Sequence, residues 1–172
     1  MRLLGLDPGL RHTGWGVIEA EATRLSFIAC GAVDSDAADD LATRLGAIYA
    51  GLNAIVAAYR PAEAAVEETV VNRNPLSSLK LGHARGVVLL VASHARLPVS
   101  EYASRQVKRA VTGTGAASKD QIAMMVRMLL GGRIEARADA ADALAVAICH
   151  AHHRLTGARI ACATRASLGG GA

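Results

Sequence analysis

Aromatic residues are scarce in this chain of 172 residues, where they make up 3% of the sequence. Single-stranded nucleic-acid modules such as the RRM and the OB-fold bind bases by stacking them on aromatic side chains. Five rings are too few to build such a platform, so this class of binding module is excluded. The five aromatic residues are Trp15, Phe27, Tyr49, Tyr59 and Tyr102.

Cysteine and long apolar runs are also in short supply. The three cysteines are widely spaced and form no CxxC pair, a pattern that suits a reducing compartment better than a disulfide framework. The apolar run of the first strand ends at Asp7, and residues 46–59 are too few to span a bilayer, so we expect neither a signal segment nor a membrane anchor. The sequence therefore predicts a soluble, cytoplasmic protein.

Apolar residues and a mild basic excess dominate what is present. Hydrophobic residues make up 52% and charged residues 20%, a balance that excludes an intrinsically disordered chain. The formal net charge is +4, and the chain is long enough to fold around one core without a disulfide or a structural metal. We expect one domain over residues 1–155, followed by a flexible tail over residues 156–172, where Gly, Ala, Ser and Thr prevail.

The order of predicted elements indicates an α/β fold. Short apolar runs predict strands at residues 3–6, 15–18, 26–33, 62–66 and 98–101. Helical spacing predicts helices at residues 39–59, 76–96, 104–111 and 139–154, and an S-x-x-Q capping box at Ser118 begins another that runs to about Leu130. Three strands in a meander, followed by alternating helices and strands, predict a mixed five-stranded sheet flanked by helices.

Four acidic residues lie at the ends of these elements. Asp7 follows the first strand, Glu67 follows the fourth, and Asp139 and Asp142 share one face at the start of the last helix. Each also has an ordinary explanation, because Asp-Pro-Gly suits a type II turn, paired glutamates are often solvated, and acidic residues cap helix N-termini.

Together, however, the four carboxylates converge where α/β folds place their sites, at the carboxyl ends of strands. Clustered carboxylates repel one another unless divalent cations neutralise them. Oxygen ligands without His or Cys select Mg²⁺ or Mn²⁺, and two such ions can assist an in-line phosphoryl displacement.

Four sequence blocks carry a family resemblance that covers residues 2–152. They are LGLDPGLRHTGWGVI, AVEETVVNRNPLSSLKLGHARGV, EYASRQVKRAVTGTGAASKDQI and ADAADALAVAICHAH. In order and spacing they resemble the signature blocks of the bacterial RuvC Holliday junction resolvases. The resemblance implies a ribonuclease H-like fold, a homodimer, and Mg²⁺-dependent cleavage of four-way DNA junctions by two symmetric nicks that leave 5′-phosphate and 3′-hydroxyl ends. It also implies a role in recombination and repair beside the RuvA–RuvB branch-migration complex.

Carried over by position, the resemblance makes Asp7, Glu67, Asp139 and Asp142 the catalytic metal ligands for two ions per site. Glu68 occupies a position that is often Gln in relatives and is interpreted as a neighbour of the site. Lys119 matches a catalytic, DNA-facing lysine, and Lys108 a second basic residue near the DNA. The expected phosphate contacts are Arg73, Lys80, Arg85, Lys108, Arg109 and Lys119.

Val70 departs from the family pattern, because relatives commonly carry Phe three residues after the site glutamate. In the family this ring is thought to stack on an unpaired base near the crossover, which Val cannot do. We therefore expect either less distortion of the crossover or another DNA-binding group in the same loop, with Arg73 the nearest planar side chain.

Other interpretations compete with the enzyme. A non-catalytic junction-binding module is the main alternative, although its carboxylates would only repel phosphates. Cys149 and the histidines that follow could suggest a transition-metal cluster, but no outlying ligand pair matches them, and histidines near a helix C-terminus are favoured by its dipole. Gly82 and Gly86 form a small-residue face that suits either packing against the sheet or close approach of a second copy.

Overall fold

The computed structural model describes residues 1–68, 74–132 and 134–169, with side chains described as far as residue 157. One five-stranded sheet forms its centre, in the order β3-β2-β1-β4-β5. β2 pairs antiparallel with both β1 and β3, whereas β4 pairs parallel with β1 and β5. The predicted mixed sheet is thereby confirmed. The strands are β1 (Arg2–Asp7), β2 (His12–Glu21), β3 (Arg24–Asp34), β4 (Glu63–Glu67) and β5 (Val99–Tyr102).

Three of the five helices that the structure describes begin at a residue whose side chain caps them. Asp40 accepts a hydrogen bond from the Thr43 amide, and Ser118 forms the predicted capping box with Gln121. Asn74 caps the second helix by accepting from the Leu76 and Ser77 amides. The helices are α1 (Leu41–Tyr59), α2 (Pro75–His94), α3 (Ser104–Thr112), α4 (Lys119–Leu129) and α5 (Ala138–Gly169).

Alternation along the strands sends side chains to two separate cores, one on each face of the sheet. Leu3 and Ile18 pack against α3, α4 and α5, whereas Leu4 and Val17 pack against α1 and α2. Among the described residues, α1 alone is long and apolar enough, by length and composition, to cross a membrane. Its Ile48 and Leu52 are buried in the second core.

The last helix is longer than predicted. It was expected to end at residue 154, but α5 continues to Gly169 because the following sequence is rich in alanine and contains no proline. The histidines at 150, 152 and 153 therefore lie inside the helix, and the helix-end explanation for them is wrong. The flexibility of residues 156–172 stays a prediction.

The first turn also differs from the expected type II geometry. Type II requires a positive φ at the glycine, but Gly113 and Gly131 are the described glycines with positive φ, and Gly9 is not one of them. Gly9 is required for a different reason, since an added Cβ would stand 2.2 Å from the His12 carbonyl oxygen. The Thr13 hydroxyl donates to the Gly9 carbonyl at 2.7 Å and closes this turn.

α5 lies unusually close to the sheet, and glycines in β1 and β2 make this possible. A Cβ on Gly5 would stand 2.0 Å from the Ala143 carbonyl oxygen, and one on Gly14 would stand 2.0 Å from the Asp139 carbonyl oxygen. A Cβ on Gly16 would meet the Leu144 side chain at 2.7 Å. Backbone atoms cannot yield as a flexible side chain can, so these contacts set the position of α5.

Gly14→Ala is expected to lower the free energy of unfolding by about 1–3 kcal/mol, because the new methyl group must push the start of α5 away from β2. Chemical denaturation measures this loss. Gly46→Ala in α1 is the matched control, since nothing lies within 4 Å of its added Cβ, and it should raise stability by about 0.5–1 kcal/mol. Equal effects of the two substitutions would contradict the close approach of α5.

Candidate active site

Asp7 and Glu67 are neighbours because β1 and β4 run parallel and adjacent. Leu6 pairs with Val66 in the strand register, so the next residue of each strand stands at the same sheet edge. Both strands have just left the core, and both carboxylates are partly exposed. Strand ends of this kind are the usual place of sites in α/β folds, as the sequence predicted.

Asp139 and Asp142 come to the same edge from α5. The close contact of Gly14 with the Asp139 backbone fixes the first turn of this helix against β2. Arg137, just before the helix, donates to Asp34 at 3.0 Å, and Asp34 also bonds His12 at 2.7 Å. The His12 bond, followed by the Arg137 bond, holds the pKa of Asp34 below its ordinary value. This ion-pair cluster ties the start of α5 to β2 and β3.

A pocket of about 270 Å³ opens where these elements meet. Three of the four predicted carboxylates line it, together with two of the three predicted lysines and an apolar wall. The lining residues are Asp7, Glu67, Ser104, Val107, Lys108, Lys119, Ile122, Asp142 and Ala145. Asp139 does not line this pocket, but its charge acts on Asp7. Glu68, interpreted from sequence as a neighbour, is exposed and outside the pocket lining.

The crowding of carboxylates changes the acidity of Asp7. Burial, followed by the charges of Glu67, Asp142 and Asp139, raises the pKa of Asp7 from 3.8 to about 7, although Lys119 acts in the opposite direction. The ionised form of this carboxyl is therefore unfavourable in the protein alone. A positive charge brought into the pocket would favour the ionised form of Asp7.

Lys119 supplies part of that positive charge. Its ammonium lies 3.3 Å from an Asp142 carboxylate oxygen, and the Asp142 charge raises the pKa of Lys119. The side chain remains 77% exposed, so its contact with Asp142 is screened by water and leaves the ammonium accessible. Lys108 lines the same pocket from α3.

Ser104 is the site residue that sequence reasoning missed. Its hydroxyl donates a hydrogen bond to a Glu67 carboxylate oxygen. Burial raises the pKa of Glu67, and this hydrogen bond opposes the rise by favouring the ionised form. The available signal was topological: β5 lies beside β4, so a residue just after β5 stands near the end of β4.

The donor set fits a divalent metal ion. Asp7, Glu67, Asp139 and Asp142 offer oxygen ligands alone, and their mutual repulsion is what a cation would remove. In the part of the chain that the structure describes, no three His, Cys, Asp or Glu side chains meet the geometric requirement for a metal shell as they stand. Three of the carboxylates thus line one pocket, with Asp139 close enough for its charge to act on Asp7, but the described side chains do not stand at metal-ligand spacing.

The remaining predicted DNA contacts are scattered. Arg85 forms an ion pair with Glu101 of β5, and Lys80 is exposed on α2. Arg109 lines a different pocket from the carboxylates. Val70 and Arg73 lie outside the described residues, so the expectation about the loop after Glu67 stays a prediction. Of the predicted basic residues that lie in the described part of the chain, Lys108 and Lys119 are those that the structure brings to the carboxylates.

Known proteins resemble the chain along nearly its whole length. The family model described as crossover junction endodeoxyribonuclease RuvC matches residues 3–150. A relative of that name from Paramagnetospirillum magneticum is 59% identical over 161 residues, covering 94% of this chain and 97% of the relative. Another of the same name from Rhodospirillum rubrum is 60% identical over 154 residues, covering 90% and 91%.

Solved structures share the fold. Thermus thermophilus RuvC in complex with a Holliday junction substrate matches with a TM-score of 0.85 and 36% identity, covering 91% of this chain and 96% of that one. The yeast mitochondrial Holliday junction resolvase Ydc2 matches with a TM-score of 0.66 over 94% of this chain and 83% of its own. At 13% identity, the yeast protein is evidence for the fold alone.

Ser104→Ala is expected to raise the pKa of Glu67, because the carboxylate loses the hydrogen bond that favours its ionised form. Carboxyl ¹³C NMR during a pH titration measures the change. Ser104→Thr keeps the hydroxyl and should restore the pKa of Glu67 toward its original value. An unchanged titration of Glu67 in Ser104→Ala would contradict the assigned hydrogen bond.

Asp7→Asn is expected to stabilise the metal-free protein relative to the wild type at pH 8. As far as Asp7 is concerned, the free energy of unfolding of the wild type is highest at low pH, where this carboxyl is neutral in the folded and the unfolded state. It falls as pH rises from 3.8 to about 7, because the unfolded state ionises this carboxyl more readily than the folded state does. The relative gain should reach on the order of 4 kcal/mol above pH 7 and vanish near pH 4. Thermal denaturation in EDTA across this pH range provides the measurement.

Exposed Asp39 supplies the control, since Asp39→Asn should follow the wild-type pH profile. Adding Mg²⁺ at pH 8 should raise the melting temperature of the wild type, because a ligand that binds only the folded state stabilises it. Asp7→Asn should lose most of that increase. A Mg²⁺ effect of equal size in both proteins would remove Asp7 from the metal site.

Proposed function

The chain belongs to the RuvC family of crossover junction endodeoxyribonucleases, and from that premise we propose that its carboxylate pocket hydrolyses the phosphodiester bonds of four-way DNA junctions. As a member of this family it is a nuclease that resolves Holliday junctions in recombination and repair. We assign the cleavage to a nuclease domain over residues 1–155. Two symmetric nicks with 5′-phosphate and 3′-hydroxyl ends are the proposed products.

One observation carries this assignment to the pocket. The pKa of Asp7 rises to about 7 because burial, and then the charges of three other carboxylates, act on it at the end of β1. A surface that only held DNA would gain nothing from this arrangement, since the carboxylates repel phosphates. The non-catalytic junction-binding module is therefore the weaker alternative.

The family is metal-dependent, and the ion in this chain is proposed to be Mg²⁺, with Mn²⁺ as a substitute and two ions per site. Asp7, Glu67, Asp139 and Asp142 would hold them. Bound divalent ions lower the pKa of a water molecule and neutralise charge on phosphate oxygens. Hard cations suit this set of oxygen ligands.

The chain's own residues orient the groups that take part. Ser104 holds a Glu67 carboxylate oxygen through its hydroxyl, and so favours the ionised form of that ligand. The exposed ammonium of Lys119 stands beside Asp142, where it can contact the scissile phosphate and offset developing negative charge. Lys108 reaches the same pocket from α3 and is proposed to hold the neighbouring DNA backbone.

We propose a homodimer that forms through an exposed face of α2. A Cβ added to Gly82 or Gly86 meets nothing within 4 Å, so the alternative that these glycines allow packing against the sheet is wrong. Leu79 and Leu90 on this helix are 59% and 46% exposed. Covering this face with a second copy would bury them and place two active sites on one junction.

The RuvA–RuvB complex as a partner and a cytoplasmic location are proposed from family membership.

Asp7→Asn, Glu67→Gln, Asp139→Asn and Asp142→Asn should each reduce nicking of a labelled four-way junction by at least about 100-fold in Mg²⁺. Junction binding should persist, because these changes remove metal ligands and leave the phosphate contacts in place. Gel analysis of cleavage, beside binding measured in EDTA, separates the two effects.

Glu68→Gln is the matched control, since Glu68 is adjacent in sequence but exposed outside the pocket, and it should cut at the wild-type rate. Mixing wild-type and Asp7→Asn subunits should yield junctions cut in one strand if the enzyme acts as a dimer. Near-normal nicking by one carboxylate variant would remove that residue from the site. A wild type that binds junctions but never cuts them would favour the binding module.

A further inference from the structure

A second pocket, of about 390 Å³, lies between α3 and α5. Ser104, Val107 and Lys108 of α3 line the carboxylate pocket, whereas the next residues around the same helix face this one. The two pockets therefore use different faces of α3. The second pocket is lined by Gln106, Arg109, Ala110, His152, His153 and Thr156.

Contacts with the surrounding structure hold several of these side chains. His152 bonds the Ala110 carbonyl oxygen through Nδ1 at 3.2 Å. The His153 ring stacks on Tyr102 with ring centroids 5.0 Å apart. The side-chain carbonyl of Gln106 accepts from the Ala103 amide at 3.0 Å, so its NH₂ group is left as a donor.

The second pocket is lined by an arginine, two histidines and neutral side chains. None of its six lining residues is acidic. Across the part of the chain whose side chains the structure describes, Arg109 forms no ion pair, whereas Arg85, Arg137 and Arg154 each pair with a carboxylate. An unpaired guanidinium beside an amide donor and two imidazoles is suited to an anion.

We propose that the second pocket binds a phosphate group. The guanidinium presents a planar fork of N–H donors that matches two phosphate oxygens, and the Gln106 amide adds a neutral donor. The phosphate could come from the backbone of bound DNA, in which case the proposal rests on the proposed function, or from free phosphate. The chemistry at the pocket is the same for both sources.

Titration with inorganic phosphate tests the pocket without DNA. Imidazole ¹H–¹⁵N NMR signals of His152 and His153 should shift saturably at constant ionic strength, while chloride and acetate should not cause the same shift. Arg109→Gln should weaken the apparent phosphate affinity at least tenfold. Arg105→Gln is the control, because Arg105 is exposed on the same helix and lines neither pocket.

A second measurement identifies the source. If backbone phosphate occupies the pocket, Arg109→Gln should reduce the slope of log junction affinity against log salt by about 0.9, and Arg105→Gln should not. If free phosphate is the ligand, phosphate binding is lost in Arg109→Gln while the slope is unchanged.

Phosphate shifts that are non-saturable, equal in chloride, or equal in Arg109→Gln overturn the proposal. A saturable shift with acetate as strong as that with phosphate overturns it too, since the pocket would then be a general carboxylate and anion site. If the wild type failed to bind junctions, the proposed function would fall, and the phosphate titration would still decide the pocket.

Discussion

The close contact of α5 with β1 and β2 is the constraint on which the active site depends. Gly5 and Gly14 leave room for helix backbone where any side chain would collide with it at about 2 Å. This contact places the first turn of α5, and with it Asp139 and Asp142, beside the end of β1. The salt-bridged Arg137 reinforces the same position through Asp34. The position of the two proposed metal ligands on α5 is thus decided largely by glycines in the sheet.

The carboxylate pocket lowers the stability of the metal-free protein. Burial and the neighbouring carboxylates raise the pKa of Asp7, and burial raises the pKa of Glu67, whereas Lys119 and Ser104 offset these effects only in part. Unfavourable charge of this kind persists in proteins mainly where function requires it. The same crowding that weakens the isolated fold is what the proposed divalent cations would relieve.

α3 divides the surface beside the active site. Lys108 and Arg109 are adjacent in sequence, but consecutive residues of a helix point about 100° apart, so one lines the carboxylate pocket and the other the second pocket. A run of basic residues in the sequence therefore becomes two separate surfaces. His152 and His153, which suggested either a metal cluster or a helix end, instead line the second of these.

The sequence by itself determined the sheet, the capping residue Ser118 and the choice of the four carboxylates, because strand alternation, caps and element ends are local patterns. It also identified the family through four blocks of matching spacing. Tertiary structure decided the rest: the Ser104 bond to Glu67, the pairing of Arg85 with Glu101, and the length of α5. Ser104 and Glu67 are 37 residues apart, and no local pattern links them. Their meeting follows from the parallel pairing of β4 with β5, which only the packed sheet establishes.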